Sequence, residues 1–420
     1  MVTTFYPPYH FGGDAVSVYR LSEALAGRGH CVDVIHSVDA YRLQHSAEPE
    51  IEFSHHPNVT RHALETKTPR FSALISHQLG SAGIYHNQLR SILEGNDYDV
   101  IHYHNISLAG GPGVLRFGRA VKLYTAHEYW LVCPTHVLFK FNEAACVDKE
   151  CFLCQLKYHR PPQLWRYTDL MARALREVDC LLAPSRFAQE KLRTDGVECS
   201  MTVLPHFVPL APAQAEAQRP PNDGRPYFLF VGRLEKLKGV QDLIQIFAKY
   251  RNADLVIVGN GNYELTLREQ ARGLEHVRFL GSLSEEKVSE LYRKTIAVLV
   301  PSLCYETFGL TAVEAFAHGT PVIARRIGAL SEIVDQSNGG RLFETFEQCL
   351  EEMERLRTQP ELRSNFGARG REAFLQNWTV EVHLARYFSL IESLIANRAR
   401  TQGETSGKRS ATTHGRPANL

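Results

Sequence analysis

The residues of this 420-residue sequence best suited to chemistry are two glutamates set eight positions apart across a glycine, in Glu306-Thr307-Phe308-Gly309-Leu310-Thr311-Ala312-Val313-Glu314. They follow an apolar, strand-like run at 296–300 and a Pro301-Ser302 turn, and helical periodicity begins at Thr311. Glu306 then falls in the loop before a helix and Glu314 within its first turns, while the amides of Gly309, Leu310 and Thr311 face open space beyond the strand ends. Free amides at such a helix start take phosphate. A carboxylate one or two turns in takes the vicinal hydroxyls of a ribose. By spacing alone the pair fits a helix cap and a solvated helix face just as well.

A second strand-to-helix loop carries the matching positive charge. After the apolar run 227–231 comes Gly232-Arg233-Leu234-Glu235-Lys236-Leu237-Lys238-Gly239, in which the Arg233 guanidinium and the Lys238 ammonium can flank one diphosphate. A third run ends in Val258-Gly259-Asn260-Gly261-Asn262, whose glycines let the backbone come close to a ligand. In the first half, the strand-like run through Thr125 leads into Ala126-His127-Glu128; taken alone, His127 reads as a hydrogen-bonded core residue. His102 and His104 belong to the strand before it and have no assigned role. Cys133, Cys146, Cys151 and Cys154 are spaced C-x12-C-x4-C-x2-C, which could close a tetrahedral structural zinc site or remain buried or reactive thiols.

Such loops have to be held by strands and helices, and the pattern supplies two sets of them. Short β-branched runs alternate with amphipathic stretches, the signature of parallel sheets covered by helices on both faces. The first set has strands near 31–36, 98–102, 120–124 and 180–183, with helices at 18–29 and 164–178. The second has strands near 227–231, 255–258, 277–280, 297–300 and 321–324, with helices at 240–250, 285–294 and 311–318. Residues 208–226 lose all periodicity and are rich in proline, as a linker is. The expected division is an N-terminal α/β domain at 1–207 with an insert near 131–163, a linker at 208–226, a C-terminal α/β domain at 227–378, a returning helix at 379–398 and a disordered tail at 399–420.

Composition sets the outer limits. Lys plus Arg is 47 and Asp plus Glu 46, a net charge of +1, so no global field favours nucleic acid. Hydrophobic residues at 44% and charged residues at 22% are globular values. No apolar run is long enough to span a bilayer and no basic region leads into an apolar core, so a cytoplasmic protein with reduced cysteines is expected. Met1-Val2-Thr3-Thr4 reads as a short first strand, or as the end of one that begins upstream.

Taken together, Gly232-Arg233 with Lys238-Gly239, Val258-Gly259-Asn260-Gly261, Pro301-Ser302 and the Glu306 to Glu314 element with Phe308-Gly309 resemble the retaining GT-B glycosyltransferases of family 4. Phe11-Gly12-Gly13 before a helix is similar to that family's N-terminal glycine loop. Asp99-Val100-Ile101-His102-Tyr103-His104, the segment around His127, Pro184-Ser185-Arg186 and Val203-Leu204-Pro205 extend the likeness to residues 1 to about 395. The resemblance implies an α/β GT-B fold, two Rossmann-like doubly wound domains facing a central cleft. It implies a UDP-, GDP- or ADP-sugar donor whose diphosphate is stabilised by Arg233 and Lys238. Glu314 would then hold the ribose, Glu306 the sugar hydroxyls, and His127 would face the sugar from the other wall. Gly13, Gly232, Gly259, Asn260, Phe308, Gly309, Leu310 and Thr311 would complete the donor site. No cofactor is required for catalysis, because the two cations supply the positive charge. Pro205-His206-Phe207 replaces the Asn-Gly usual after this strand, so the interdomain hinge differs.

The implied reaction is sugar transfer to a carbohydrate or lipid-linked acceptor in cell-surface polysaccharide or glycolipid assembly. An epimerase or hydrolase of nucleotide sugars, and a non-catalytic nucleotide-sugar-binding paralogue, are the alternatives. Asp97-Tyr98-Asp99 has the spacing of a metal-binding pair in the other glycosyltransferase fold, but it sits at a strand entry, away from ligand-binding ends. The stretch Lys157 to Tyr167 mixes cations with aromatics; it could meet the inner face of a membrane or form an ordinary solvated helix.

Overall fold

In the computed structural model, residues 1–45, 48–49, 53–210 and 224–411 are described, with side chains as far as 400. Runs rich in Val, Leu, Ile and Phe form strands that are buried on both faces, as parallel sheets require. The N-terminal half contains β1 (Val32–Ser37), β2 (Val59–Leu64), β3 (Val100–Tyr103), β4 (Val121–Thr125), a short antiparallel hairpin of β5 (Phe139–Lys140) and β6 (Ala144–Ala145), then β7 (Cys180–Ala183) and β8 (Met201–Val203). β1 pairs with β2, and β3-β4-β7-β8 form a second parallel group. Val2 bridges in parallel to Ile35 of β1 and Tyr103 of β3, placing the first residues between the two groups.

The C-terminal half contains β9 (Tyr227–Val231), β10 (Asp254–Val258), β11 (Val277–Phe279), β12 (Val298–Val300), β13 (Val322–Arg325) and β14 (Gly340–Phe343). Their order is β11-β10-β9-β12-β13-β14, all parallel. Renumbered from β9 this is the doubly wound order 3-2-1-4-5-6, whose direction reverses between β9 and β12. The loops after β9 and β12 therefore open the crevice, and these are the two loops that hold Arg233, Lys238 and Glu306.

The last helix, Val380–Ala411, returns to the first domain. Leu384 and Tyr387 are buried with Val34, Leu123 and Leu182 in the N-terminal core, and Arg398 forks onto Asp179 at 2.9 and 2.7 Å. Residues 399–411 of the expected disordered tail continue this helix. No proline interrupts the helix there, and each further residue adds one backbone bond to an existing helix. Residues 211–223 of the expected linker and 412–420 of the expected tail lie outside the described residues.

Two other departures are local. The helix expected at 164–178 is broken into a 3-10 turn, Leu164–Tyr167, and a helix, Leu170–Leu175. Thr168 causes the break: its hydroxyl donates to the Trp165 carbonyl at 2.6 Å and accepts from the Leu170 amide at 3.3 Å. The insert near 131–163 does not stand apart from the second domain, since Phe139 packs against Leu237 and Cys304.

Candidate active site

Lys238 and Glu306 meet across the β9/β12 crevice, Nζ to Oε1 at 2.7 Å, and the Ser302 hydroxyl donates to the same oxygen at 2.7 Å. Burial alone would raise the Glu306 pKa, but Lys238, Ser302 and Arg233 outweigh it and hold the carboxylate below its ordinary value. Burial likewise works against the Lys238 ammonium, and Glu306 more than offsets it, so its pKa is raised. Both groups are charged at neutral pH. Arg233 is half exposed and pairs with Glu235 at 2.8 Å.

Glu314 lies one turn into the helix Leu310–Ala317 and accepts from the Tyr292 hydroxyl at 3.1 Å. Burial raises its pKa, and Arg20 and Tyr292 only partly offset that. Arg20 stands 3.6 Å from Glu314 and 3.5 Å from Glu285, reaching over from the helix Gly13–Ala26 of the first domain. Arg20 was not anticipated. The signal was present, since it follows Gly13 by two helical turns and so shares the face that the glycine loop presents to the cleft.

That loop faces the crevice of the C-terminal domain. A methyl group on Gly12 would lie 3.6 Å from the Arg233 Nε, and one on Gly13 would lie 3.2 Å from Leu310. Gly259 answers a different need from the one expected. With φ +124, its hydrogen faces the Gly232 carbonyl so closely that a Cβ would sit 2.0 Å from that oxygen; it lets two loops pack together. The Asn260 carbonyl accepts from the Leu234 amide at 2.9 Å in the same contact. The Phe308 ring is buried in the C-terminal core, edge-on to His206. Thr311 uses its hydroxyl on the Val231 carbonyl at 3.3 Å.

On the opposite wall His127 follows β4. Its Nε2 is 2.9 Å from His104 Nδ1, its ring stacks on His206 at 4.8 Å, and the Thr307 hydroxyl donates to its carbonyl at 2.7 Å. Burial lowers its pKa to about 4, slightly offset by Glu128, so the ring is neutral at pH 7. Behind it His102, His104, His206 and His383 line a cavity of about 20 Å³, room for a single water. His102 and His104, left without a role by the sequence, are thus the packing behind His127.

Comparison with known proteins decides the family. The family model Glycosyltransferase Family 4 matches residues 11–212, and Glycosyl transferases group 1 matches residues 213–373. The phosphatidyl-myo-inositol mannosyltransferase of Mycolicibacterium smegmatis is 30% identical over 350 residues, 80% of this chain and 78% of that protein. The chain belongs to glycosyltransferase family 4. A further relative, the O-antigen chain mannosyltransferase C of Escherichia coli, is 25% identical over 407 residues, 94% of this chain and 98% of its own. Sucrose-phosphate synthase from Thermosynechococcus elongatus has TM-score 0.71 at 22% identity, covering 94% of this chain and 98% of that one. Anabaena HepE, solved with UDP and glucose, has TM-score 0.64 at 17% identity, covering 93% and 99%. At these identities the structures speak for the fold alone, which is GT-B. The family 4 assignment makes the protein a glycosyltransferase enzyme.

The four cysteines of this family 4 chain converge on one pocket and all are free thiols. Burial, and to a lesser extent the neighbouring thiols, raise the thiol pKa values of Cys146, Cys151 and Cys154. Among the described residues no group of three or more His, Cys, Asp or Glu side chains is placed to hold a metal ion, so the zinc expectation gains nothing from the geometry. Among them, too, no helix is long and apolar enough to cross a membrane.

Proposed function

We propose that this family 4 enzyme transfers a sugar, with retention of configuration, from a UDP-, GDP- or ADP-sugar to a carbohydrate or lipid-linked acceptor in cell-surface polysaccharide or glycolipid assembly. The observation that carries the reading is the Lys238–Glu306 pair at 2.7 Å in the β9/β12 crevice, faced across the cleft by neutral His127. Arg233, Lys238 and the amides at Gly309 to Thr311 oppose the charge that builds on the departing diphosphate, which is the main demand of an oxocarbenium-like transition state. Glu306 accepts from sugar hydroxyls, neutral His127 can accept from or donate to them, and Glu314 takes the ribose. The bond from the anomeric carbon to phosphate breaks, the bond to the acceptor oxygen forms on the same face, and the acceptor proton passes to the leaving phosphate oxygen. No protein nucleophile and no metal takes part. The relatives named as mannosyltransferases of a phosphatidylinositol and of an O-antigen chain support an acceptor of this kind.

A thermal-shift series with UDP, GDP, ADP and their sugars identifies the donor. Acceptor-dependent transfer giving a product with the donor's anomeric configuration is the expected result. Sugar release without acceptor would instead favour the hydrolase alternative, and binding with no turnover across a donor and acceptor panel the non-catalytic one.

For a lipid-linked acceptor, the proposed membrane-facing surface is helix Pro69–Leu79 with the turn Leu164–Tyr167, which Trp165 joins by donating to the His77 carbonyl at 2.9 Å. Phe71, Leu74, Leu164 and Tyr167 are exposed there beside Arg70. Co-sedimentation with anionic liposomes, lost in Phe71→Ser/Leu74→Ser, is expected. A structural zinc at Cys133, Cys146, Cys151 and Cys154 rests on their sequence spacing alone; about one zinc per purified chain supports it and a metal-free, fully folded protein ends it.

A further inference from the structure

One set of hydrogen bonds between the domains runs through the middle of the donor loop. Thr307, between Glu306 and Phe308, donates its hydroxyl proton to the His127 carbonyl at 2.7 Å and accepts at its own carbonyl from the Ser185 hydroxyl, also at 2.7 Å. Ser185 at the same time accepts from the Ala188 amide at 3.0 Å and so caps helix Arg186–Thr194. The first two amides of that helix, Arg186 and Phe187, donate to the two oxygens of Glu332 at 3.0 and 2.9 Å. Glu332 belongs to helix Gly328–Ser337 of the other domain. A helix normally satisfies these amides with a neighbour in sequence; here the partner comes from 145 residues away. Tyr305, on the other side of Glu306, lies against Phe187 with ring centroids 5.5 Å apart, so the donor loop is held on both sides of its carboxylate.

We propose that Thr307, with Ser185 and Glu332 behind it, is a positioning residue that sets the separation of His127 and Glu306 across the cleft. The inference rests on the function proposed above. His127 and Glu306 sit on different domains, so nothing within either domain fixes their spacing. Thr307 is one peptide unit from Glu306 and bonds directly to the backbone of His127, which makes it the shortest connection between the two. Ser185 has to donate and accept together, which a hydroxyl can do and a methyl group cannot. The carboxylate of Glu332 on two adjacent amides adds a charge-assisted contact that holds the helix start in place.

The test uses the full-length protein with the nucleoside diphosphate, among UDP, GDP and ADP, that gives the largest thermal shift, and with its sugar. Thr307→Val keeps the shape and removes the proton donor. It is expected to leave the affinity for the diphosphate alone within about threefold and to lower kcat by roughly ten- to a hundredfold, the effect of a misplacement near 1 Å. Thr307→Ser should restore most of the rate, which a purely structural role of the methyl group would not allow. Hydrogen exchange at the Arg186 and Phe187 amides should quicken in Glu332→Gln, and this readout holds whatever the substrate. Wild-type kcat in Thr307→Val, or unchanged exchange in Glu332→Gln, overturns the positioning role. Absence of any transfer by the wild-type enzyme overturns the proposed function instead, leaving the exchange measurement to decide the clasp.

Discussion

At the residue scale, charge in the cleft is arranged for a ligand. Lys238 and Glu306 neutralise each other at 2.7 Å, whereas Arg233 is half exposed and pairs with Glu235. Arg233→Ala therefore removes the proposed diphosphate partner without disturbing packing. Turnover should fall on the order of a hundredfold while stability in urea changes by no more than about 0.5 kcal/mol; near-normal turnover would remove Arg233 from the site. Glu314 gives a sharper expectation. If it holds the ribose, a 2′-deoxy donor should be used about 10- to 100-fold less well than the natural one, the worth of a charged hydrogen bond, and Glu314→Gln should lose most of that discrimination. Because burial raises the Glu314 pKa, donor affinity should begin to fall on acidification earlier than an ordinary glutamate would allow. The identities of these side chains were legible in sequence. Their partners were not: Arg20 and His206 lie beside motifs in other parts of the chain, and only folding brings them to Glu314 and His127.

At the element scale, the cleft is built from loops packed on loops. The Val258-Gly259-Asn260 turn after β10 lies against the Gly232–Leu234 turn after β9, and Gly259 is the point of closest approach. Gly259→Ala would force a Cβ to 2.0 Å from a backbone oxygen at a positive φ. It should destabilise by about 2 kcal/mol or more and lower the melting temperature even with no ligand present; an unchanged melting temperature would show that the two loops part freely. The sequence presents this glycine as one that admits a ligand, because a motif shows where a glycine is and not which backbone it faces. The same reason explains Phe308, whose motif position implied donor contact but whose ring is in the core.

At the scale of the whole molecule, the two domains and the returning helix meet around buried histidines. His102 bonds to the Tyr387 hydroxyl at 3.0 Å, and His383 to the Pro205 carbonyl at 2.8 Å, tying the last helix to the first sheet and to the crossover. Burial lowers the pKa of His102, His104 and His206 well below 6.5, and that of His127 and His383 to about 4. In the unfolded chain these groups protonate near pH 6.5, so between there and pH 4 the unfolded state binds more protons. Stability is full above about pH 6.5 and is lost as pH falls, by up to about 1.4 kcal/mol per unit for each such histidine. Melting temperature should drop steeply from pH 7 to 5, and His383→Gln should flatten the slope; a flat profile for the wild type would mean that these rings stay solvated.

Periodicity and strand-end motifs were enough to assign two parallel α/β sheets and the crevice loops, and to propose the donor-site residues, because burial of parallel strands and phosphate-binding turns constrain residue type locally. The sequence did not reveal the strand order that sets Lys238 beside Glu306, the arrangement of histidines behind His127, or the Ser185–Thr307–His127 and Glu332 contacts. Nor did it show that the last helix continues past Arg398. Each of these joins segments far apart in the chain or depends on what a helix end meets, and the energy of such a contact exists only once the two surfaces are packed together.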